Sequence, residues 1–211
     1  MADIVIIDYG MGNVHSVAKA LTNILDKKSK VKISKSISEI KKSTHIVFPG
    51  QGAVSECMSN INKNFEINEL KEIIKEKPFL GICMGLQVLM GSSTENNGVS
   101  CLDIIDGEVL SIRDKLDKNL KIPHMGWSEV AQQNNHPLWD GIKNKSYFYF
   151  VHSYYVSPDK KNDILATTSY GFDFVSAIAR ENMVAVQFHP EKSSKTGLKL
   201  LQNFLSWDGV I

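Results

Sequence analysis

The chain has 211 residues, 43% of them hydrophobic and 22% charged, with a formal net charge of +1. That size and composition fit one globular domain spanning 1–211, and they give no electrostatic case for a nucleic-acid or anionic-membrane partner. No apolar run is long enough for a transmembrane helix, the first residues read as a strand rather than a signal peptide, and three cysteines make no even disulfide framework, so a reducing, cytoplasmic setting is expected.

Taken from the N-terminus, the β-branched run 4–8 suits a buried central strand, which Gly10 and Gly12 break. Asn13 is placed to cap a helix over 14–25, whose Val14, Val17, Leu21, Ile24 and Leu25 fall near helical spacing. Short strands follow at 31–34 and 45–48, the second stopped by Pro49-Gly50. Helical stretches cover 53–61 and 67–77, and a short apolar strand at 79–82 leads into an apolar helical stretch at 86–90. This alternation predicts an α/β fold, a mostly parallel sheet covered on both faces by helices. The second half changes character. Strands are expected at 108–112, 128–131, 147–151, 164–168, 174–180 and 183–188, separated by turn signals such as Tyr170-Gly171 and Glu181-Asn182. The helical period returns at 195–204, and no repeat or interdomain linker interrupts the chain.

The chemistry concentrates where strand 79–82 ends. A cysteine in an apolar stretch is by itself a small buried hydrophobe, and Cys57 and Cys101 are assigned that structural role. Cys83 differs, because Gly81 and Gly85 flank it. Gly-x-Cys-x-Gly is the cysteine counterpart of the nucleophile elbow, a strand-to-helix turn too tight for bulky neighbours. A helix beginning behind the sulfur favours the thiolate.

A second segment, Gln187-Phe188-His189-Pro190-Glu191-Lys192, supplies a histidine and a carboxylate. The preceding strand aims His189 at the C-terminal edge of the sheet, where α/β sites form. Pro190 fixes the backbone and keeps a helix from continuing. In extended backbone His189 and Glu191 share one face. Glu191 then holds the imidazole tautomer while the other nitrogen takes the thiol proton. The plain alternative is a hydrogen-bonded structural histidine. Cys83, His189 and Glu191 lack the spacing of zinc motifs, and no metal is expected. Attack on a carbonyl creates an oxyanion that needs N–H donors. Met84 supplies one, and the turn Pro49-Gly50-Gln51-Gly52 fits the other, although it also reads as an ordinary turn. It does not fit a phosphate loop, since no Walker lysine follows.

These segments resemble the class I (triad) glutamine amidotransferases, through the Gly81-Ile82-Cys83-Met84-Gly85-Leu86-Gln87 elbow, the Phe48-Pro49-Gly50 turn and His189-Pro190-Glu191. More narrowly, the chain is similar to the glutaminase subunits of imidazole glycerol phosphate synthases. Four segments in family order carry that likeness: Ile7-Asp8-Tyr9-Gly10-Met11-Gly12-Asn13 with Ser16-Val17, then Ile122-Pro123-His124-Met125-Gly126-Trp127, then Tyr147-Phe148-Tyr149-Phe150-Val151-His152-Ser153-Tyr154, and finally 187–193.

The resemblance implies a single flavodoxin-like domain and a Cys83–His189–Glu191 triad that hydrolyses glutamine to glutamate and ammonia without a cofactor. It implies an oxyanion hole at Gly50, Gln51 and Met84. It implies that Gln87 and Glu95 hold the amino-acid end of glutamine, and that His152, Ser153 and Tyr154 line its pocket. It implies further that ammonia passes to a (β/α)₈-barrel synthase subunit, the partner in a heterodimer, and that this subunit makes imidazole glycerol phosphate and an aminoimidazole carboxamide ribotide in histidine biosynthesis. Trp127 and Lys192 are placed on the face meeting that partner, although by residue type Trp127 is as readily a core anchor and Glu95 a solvated loop residue. The turn at Gly50 is expected to reorient when the synthase binds its substrate, so the isolated chain should turn over little glutamine.

Three departures from the family pattern leave the triad intact and bear on gating and coupling: Gln51 where many relatives carry valine, Ser128 where asparagine is usual, and Gly98-Val99-Ser100-Cys101-Leu102-Asp103 in place of a glycine-rich loop. Three rivals remain. A paralogue could feed ammonia to another acceptor, such as a surface sugar. A free-standing cysteine hydrolase would not need Gln87 or Glu95. A non-catalytic scaffold would have no chemical reason to keep all three triad groups.

Overall fold

The computed structural model describes residues 3–26, 28–116 and 120–210. In chain order the strands are β1 (Asp3–Ile7), β2 (Lys30–Ser34), β3 (His45–Gly50), β4 (Phe79–Cys83), β5 (Ser92–Ser93), β6 (Val99–Ser100), β7 (Gly107–Ser111), β8 (His124–Gln132), β9 (Ser146–His152), β10 (Tyr154–Pro158), β11 (Ile164–Ser169), β12 (Asp173–Arg180) and β13 (Met183–Val186). The α-helices are α1 (Val14–Ile24), α2 (Ile37–Lys42), α3 (Val54–Asn64), α4 (Ile67–Glu76), α5 (Met84–Gln87) and α6 (Ser194–Ser206). The sheet runs β2-β1-β3-β4-β13-β12-β10-β7-β5-β6, with β11, β8 and β9 branching from β12. From β2 to β13 the pairing is parallel; from β13 through β12, β10 and β7, and along β12-β11-β8-β9, it is antiparallel.

Alternation along the central strands sends side chains to opposite faces, so one sheet feeds two apolar layers. Ile4, Ile6, Val47, Leu80, Ile82, Val184 and Val186 pack under α1 and α6, where Val17, Leu21, Leu200, Leu201 and Phe204 meet them. Val5, Ile7, Ile46, Phe48, Phe79 and Ala185 pack on the other side, under α3 and α4 with Cys57, Ile61, Leu70, Ile73 and Ile74. Each fully buried aliphatic side chain stabilises the fold by about 1.5–3 kcal/mol.

The expected alternation and the change of character in the second half are both present. Three details differ. The stretch 86–90 is not a helix; α5 is one turn, Met84–Gln87. The carbonyls of Val88, Leu89 and Met90 accept instead from the N–H groups of Leu102, Ile104 and Asp103, so a crossing segment takes the bonds a longer helix would need. Asn13 stands at the start of α1 but its side chain makes no capping bond; only its carbonyl accepts from Val17. Finally, β5, β6, β10 and α2 join the expected elements. Among the described residues no helix is long and apolar enough to cross a membrane.

Candidate functional site

Parallel pairing places three segments at one sheet edge. Gly50 stands opposite Cys83, and Val186 opposite Ile82, so Gln187 emerges beside the cysteine. Cys83 adopts φ 54°, ψ −101°, a conformation costly for a side-chain-bearing residue; such strain is of order 1–3 kcal/mol and gathers at functional sites. The flanking glycines permit it. A Cβ on Gly85 would lie 1.9 Å from the Phe48 carbonyl oxygen, and one on Gly81 would lie 2.5 Å from the Gly85 oxygen. The helix α5 behind the sulfur has a single turn, so its dipole adds less to thiolate stability than a longer helix would.

His189 and Glu191 meet as the spacing suggested, but for another reason. Pro190–Lys192 forms a 3-10 turn rather than extended chain, and Pro190 begins that turn. The His189 N–H donates to the Tyr149 carbonyl, and Ser193 Oγ donates to the His189 carbonyl. Both contacts fix the loop. His189 Nδ1 lies 2.9 Å from Glu191 Oε1, with the side chains only 6% and 1% exposed. With Nδ1 donating to the carboxylate, Nε2 is the nitrogen left for Cys83. It is buried and has no hydrogen-bond partner of its own. Burial pushes the imidazole pKa down, but Cys83 and Glu191 together outweigh it and raise the pKa to about 10. Cys57 has the opposite setting: burial pushes its thiol up to about 12, which fits an inert packing role.

A cavity of about 450 Å³ opens above the sulfur. Cys83, Met84, Gln87, Glu95, Gln51, His152, Ser153, Tyr154, His189 and Lys192 line it, together with Gly52, Pro123 and Val151. Gly50 lies beneath this surface, fully buried; a Cβ there would stand 2.4 Å from Tyr9 Oη and 2.5 Å from Met84 Cβ, so the turn passes where only glycine fits. Glu95 is half-buried rather than solvated, and its Oε2 accepts from the Val54 N–H at 2.6 Å.

Hydrogen bonds around the cavity have a forced sense. The Tyr154 carbonyl can only accept, so Gln87 Nε2 (3.1 Å) and His152 Nδ1 (2.9 Å) both donate to it. Burial pushes the His152 pKa down to about 3 and that of His124 to about 4, so both rings are neutral. His152 Nε2 therefore accepts from His124 Nδ1 at 2.8 Å, and His124 Nε2 accepts from Ser128 Oγ at 2.9 Å. His152 thus walls the cavity with both ring nitrogens engaged. Gln87 Nε2 also donates to Gln187 Oε1 at 3.1 Å, leaving Gln87 Oε1 as the acceptor for a ligand.

Trp127 is not a core residue. It is 50% exposed on the outer face of β8, beside Met125 at 61% and Tyr147 at 53%, and its ring meets Tyr149 edge-on. Lys192 lies at the cavity rim instead of on that strand. Sequence reasoning passed over Met125, Tyr147 and Tyr149 as surface residues, although the alternation of β8 against β9 was the signal for them. Among the described residues no cluster of His, Cys, Asp and Glu is arranged to hold a metal ion.

Residues 5–207 match the family model for glutamine amidotransferase class-I. The chain is 50% identical to the imidazole glycerol phosphate synthase subunit HisH of Hydrogenovibrio crunogenus, over 98% of this chain and 97% of that protein. It is 46% identical to the protein of the same description from Nitrosococcus oceani, over the full length of both. Two solved structures share the fold: PurLQS from Thermotoga maritima, with TM-score 0.73, 14% identity and coverage of 98% of this chain and 99% of that one, and a protein described as a glutamine amidotransferase, with TM-score 0.71, 14% identity and coverage of 96% and 97%.

Proposed function

The chain belongs to the class-I glutamine amidotransferase family, and we propose that it is the glutaminase subunit of an imidazole glycerol phosphate synthase. The observation that carries this reading is Cys83 and His189 lining a 450 Å³ cavity, with Glu191 buried behind the imidazole. The near full-length likeness to subunits of that description supports the narrower assignment.

Glutamine enters with its ammonium group toward Glu95 and Gln87 Oε1 and its side-chain amide over Cys83. The thiolate attacks the amide carbon; the C–S bond forms and the carbonyl electrons move onto oxygen. N–H groups at Met84 and the Gln51 turn receive that oxyanion. Collapse breaks the C–N bond as His189 Nε2 delivers its proton to the leaving nitrogen, releasing ammonia. Water then attacks the thioester while His189 takes up a proton, and glutamate leaves with the thiolate restored. Glu191 keeps Nδ1 protonated and stabilises the imidazolium.

The partner is a (β/α)₈-barrel synthase in a cytoplasmic heterodimer, docked over Met125, Trp127 and Tyr147 with Lys192 at the edge of the contact. An exposed apolar patch with aromatic residues is the kind of surface a stable partner covers. The test is glutamate release by the purified chain, alone and with the barrel synthase plus its ribulosyl substrate. Low release alone and strong stimulation by both, abolished in Cys83→Ala, is the expected result. Stimulation only by a different synthase moves the assignment to a paralogue, and partner-independent release moves it to a free-standing hydrolase.

A further inference from the structure

One carbonyl sets the sense of a hydrogen-bond chain that ends on the nucleophile. The Tyr154 carbonyl turns the Gln87 amide so that its NH₂ group faces inward. Its second hydrogen goes to Gln187 Oε1. That bond leaves the Gln187 NH₂ group facing the other way, and Gln187 Nε2 lies 3.6 Å from Cys83 Sγ. Gln187 is fully buried, at 0% exposure, so no water competes for its amide. His152 Nδ1 donates to the same carbonyl, and the His124–Ser128 chain fixes that ring's tautomer.

We infer that Gln187 is a further catalytic residue: its side-chain amide donates to the Cys83 sulfur and holds it as the thiolate that attacks the substrate. This deepens the glutaminase reading and rests on it. The chemistry is that of a donor aimed at developing or standing negative charge in a buried site. An amide in the reverse orientation would present oxygen to the sulfur and repel the thiolate; Gln87 and Tyr154 exclude that orientation. Gln87 and the Tyr154 carbonyl are thus positioning groups for Gln187.

The test compares the wild-type chain with Gln187→Met, which keeps length and volume and removes the donor, and Gln187→Asn, which keeps the amide but draws it back by one methylene. Cys83 alkylation by iodoacetamide is followed by mass spectrometry across pH, with melting curves to confirm folding. The other titratable groups facing Cys83 are His189, Tyr9 and Cys57, with Glu95, His152, Tyr154 and Lys192 lining the same cavity, and both variants retain all of them. In Gln187→Met the pH of half-maximal alkylation should rise by about one unit, as loss of one charge-assisted bond requires. Gln187→Asn should show a smaller rise in the same direction. In the assembled complex kcat for glutamate release should fall about tenfold or more, with KM nearly unchanged. Variants that fold and alkylate with the wild-type pH profile would overturn the inference. If Gln187→Met does not fold, Gln187→Asn decides by the same criterion. Alkylation needs neither glutamine nor partner, so a wild-type complex that releases no glutamate would refute the proposed function while leaving this inference to the alkylation profile.

Discussion

Glu191→Gln isolates the charge behind His189. The variant keeps the shape and an acceptor for Nδ1, whose bond to Oε1 is 2.9 Å, and removes the negative charge. Both side chains are nearly closed to solvent, so water screens little of the loss. Opposite charges about 4 Å apart attract by about 4 kcal/mol at an effective dielectric constant near 20. The glutamine oxygen recovers part of that as a neutral hydrogen bond worth about 1 kcal/mol. A net loss of about 2–3 kcal/mol lowers kcat/KM for glutamate release by about 30- to 200-fold, at 1.36 kcal/mol per decade. A second readout follows from linkage. The His189 pKa is raised from 6.5 to about 10, by Cys83 and Glu191 against burial. A group raised on folding contributes stability that is complete below its unfolded pKa and is lost as pH rises through the folded value. Unfolding free energy of the wild type should therefore carry a falling component between pH 6.5 and about 10, and Glu191→Gln should reduce it, leaving the part that Cys83 supplies. Urea titrations across that window measure the slope, and glutamate release in the assembled complex measures kcat/KM. If the variant keeps kcat/KM within about threefold of wild type and the same slope, Glu191 does not act through its charge on His189.

Gly85→Ala would place a methyl 1.9 Å from the Phe48 carbonyl; an overpacking cost of about 3 kcal/mol lowers the melting temperature by about 6–12 °C, and glutamate release should be lost as the elbow shifts. Trp127→Ala removes a half-exposed ring, so the melting temperature of the isolated chain should hold, while calorimetry should show the affinity for the proposed partner subunit weakened by about 30-fold or more, as for a central aromatic contact. Asp163→Ala breaks the paired bonds to Arg180 Nε and Nη2, on a carboxylate side chain only 8% exposed. Asp106, 3.6 Å from the guanidinium, and partial solvent access reduce the penalty below that of a fully buried pair. About 2 kcal/mol, or a melting temperature lower by about 4–8 °C, is the expected result by differential scanning calorimetry.

The parallel half of the fold was legible because its strands are buried on both faces and read as continuous apolar runs bounded by Gly and Pro. The elements that escaped have weak periods. The strands β5 and β6 have two residues each, β10 ends in Pro158, and α2 is six residues of which only Ile40 is buried. The stretch after Cys83 misled for a different reason. Its apolar residues do fill the core, but the carbonyls of 88–90 serve a segment that is distant in sequence, and local pattern carries no record of that.

The residues proposed as a triad stood out by type, since a cysteine between glycines and a His-Pro-Glu segment have few structural reasons to occur together. Its geometry was not. Extended backbone and a 3-10 turn both bring His189 to Glu191, and only the turn also lets Ser193 and Tyr149 fix the loop. The sense of the hydrogen bonds lies further still from the sequence. His152 is readable as a pocket residue, yet whether its ring can serve a ligand depends on His124 and Ser128, twenty-eight and twenty-four positions earlier. Gln187 likewise reads as the end of a strand until Gln87 and Tyr154 decide which end of its amide meets the sulfur. A donor and an acceptor on one amide look identical in a sequence. An obligate acceptor such as the Tyr154 carbonyl separates them, and its neighbours become apparent only when the chain has folded.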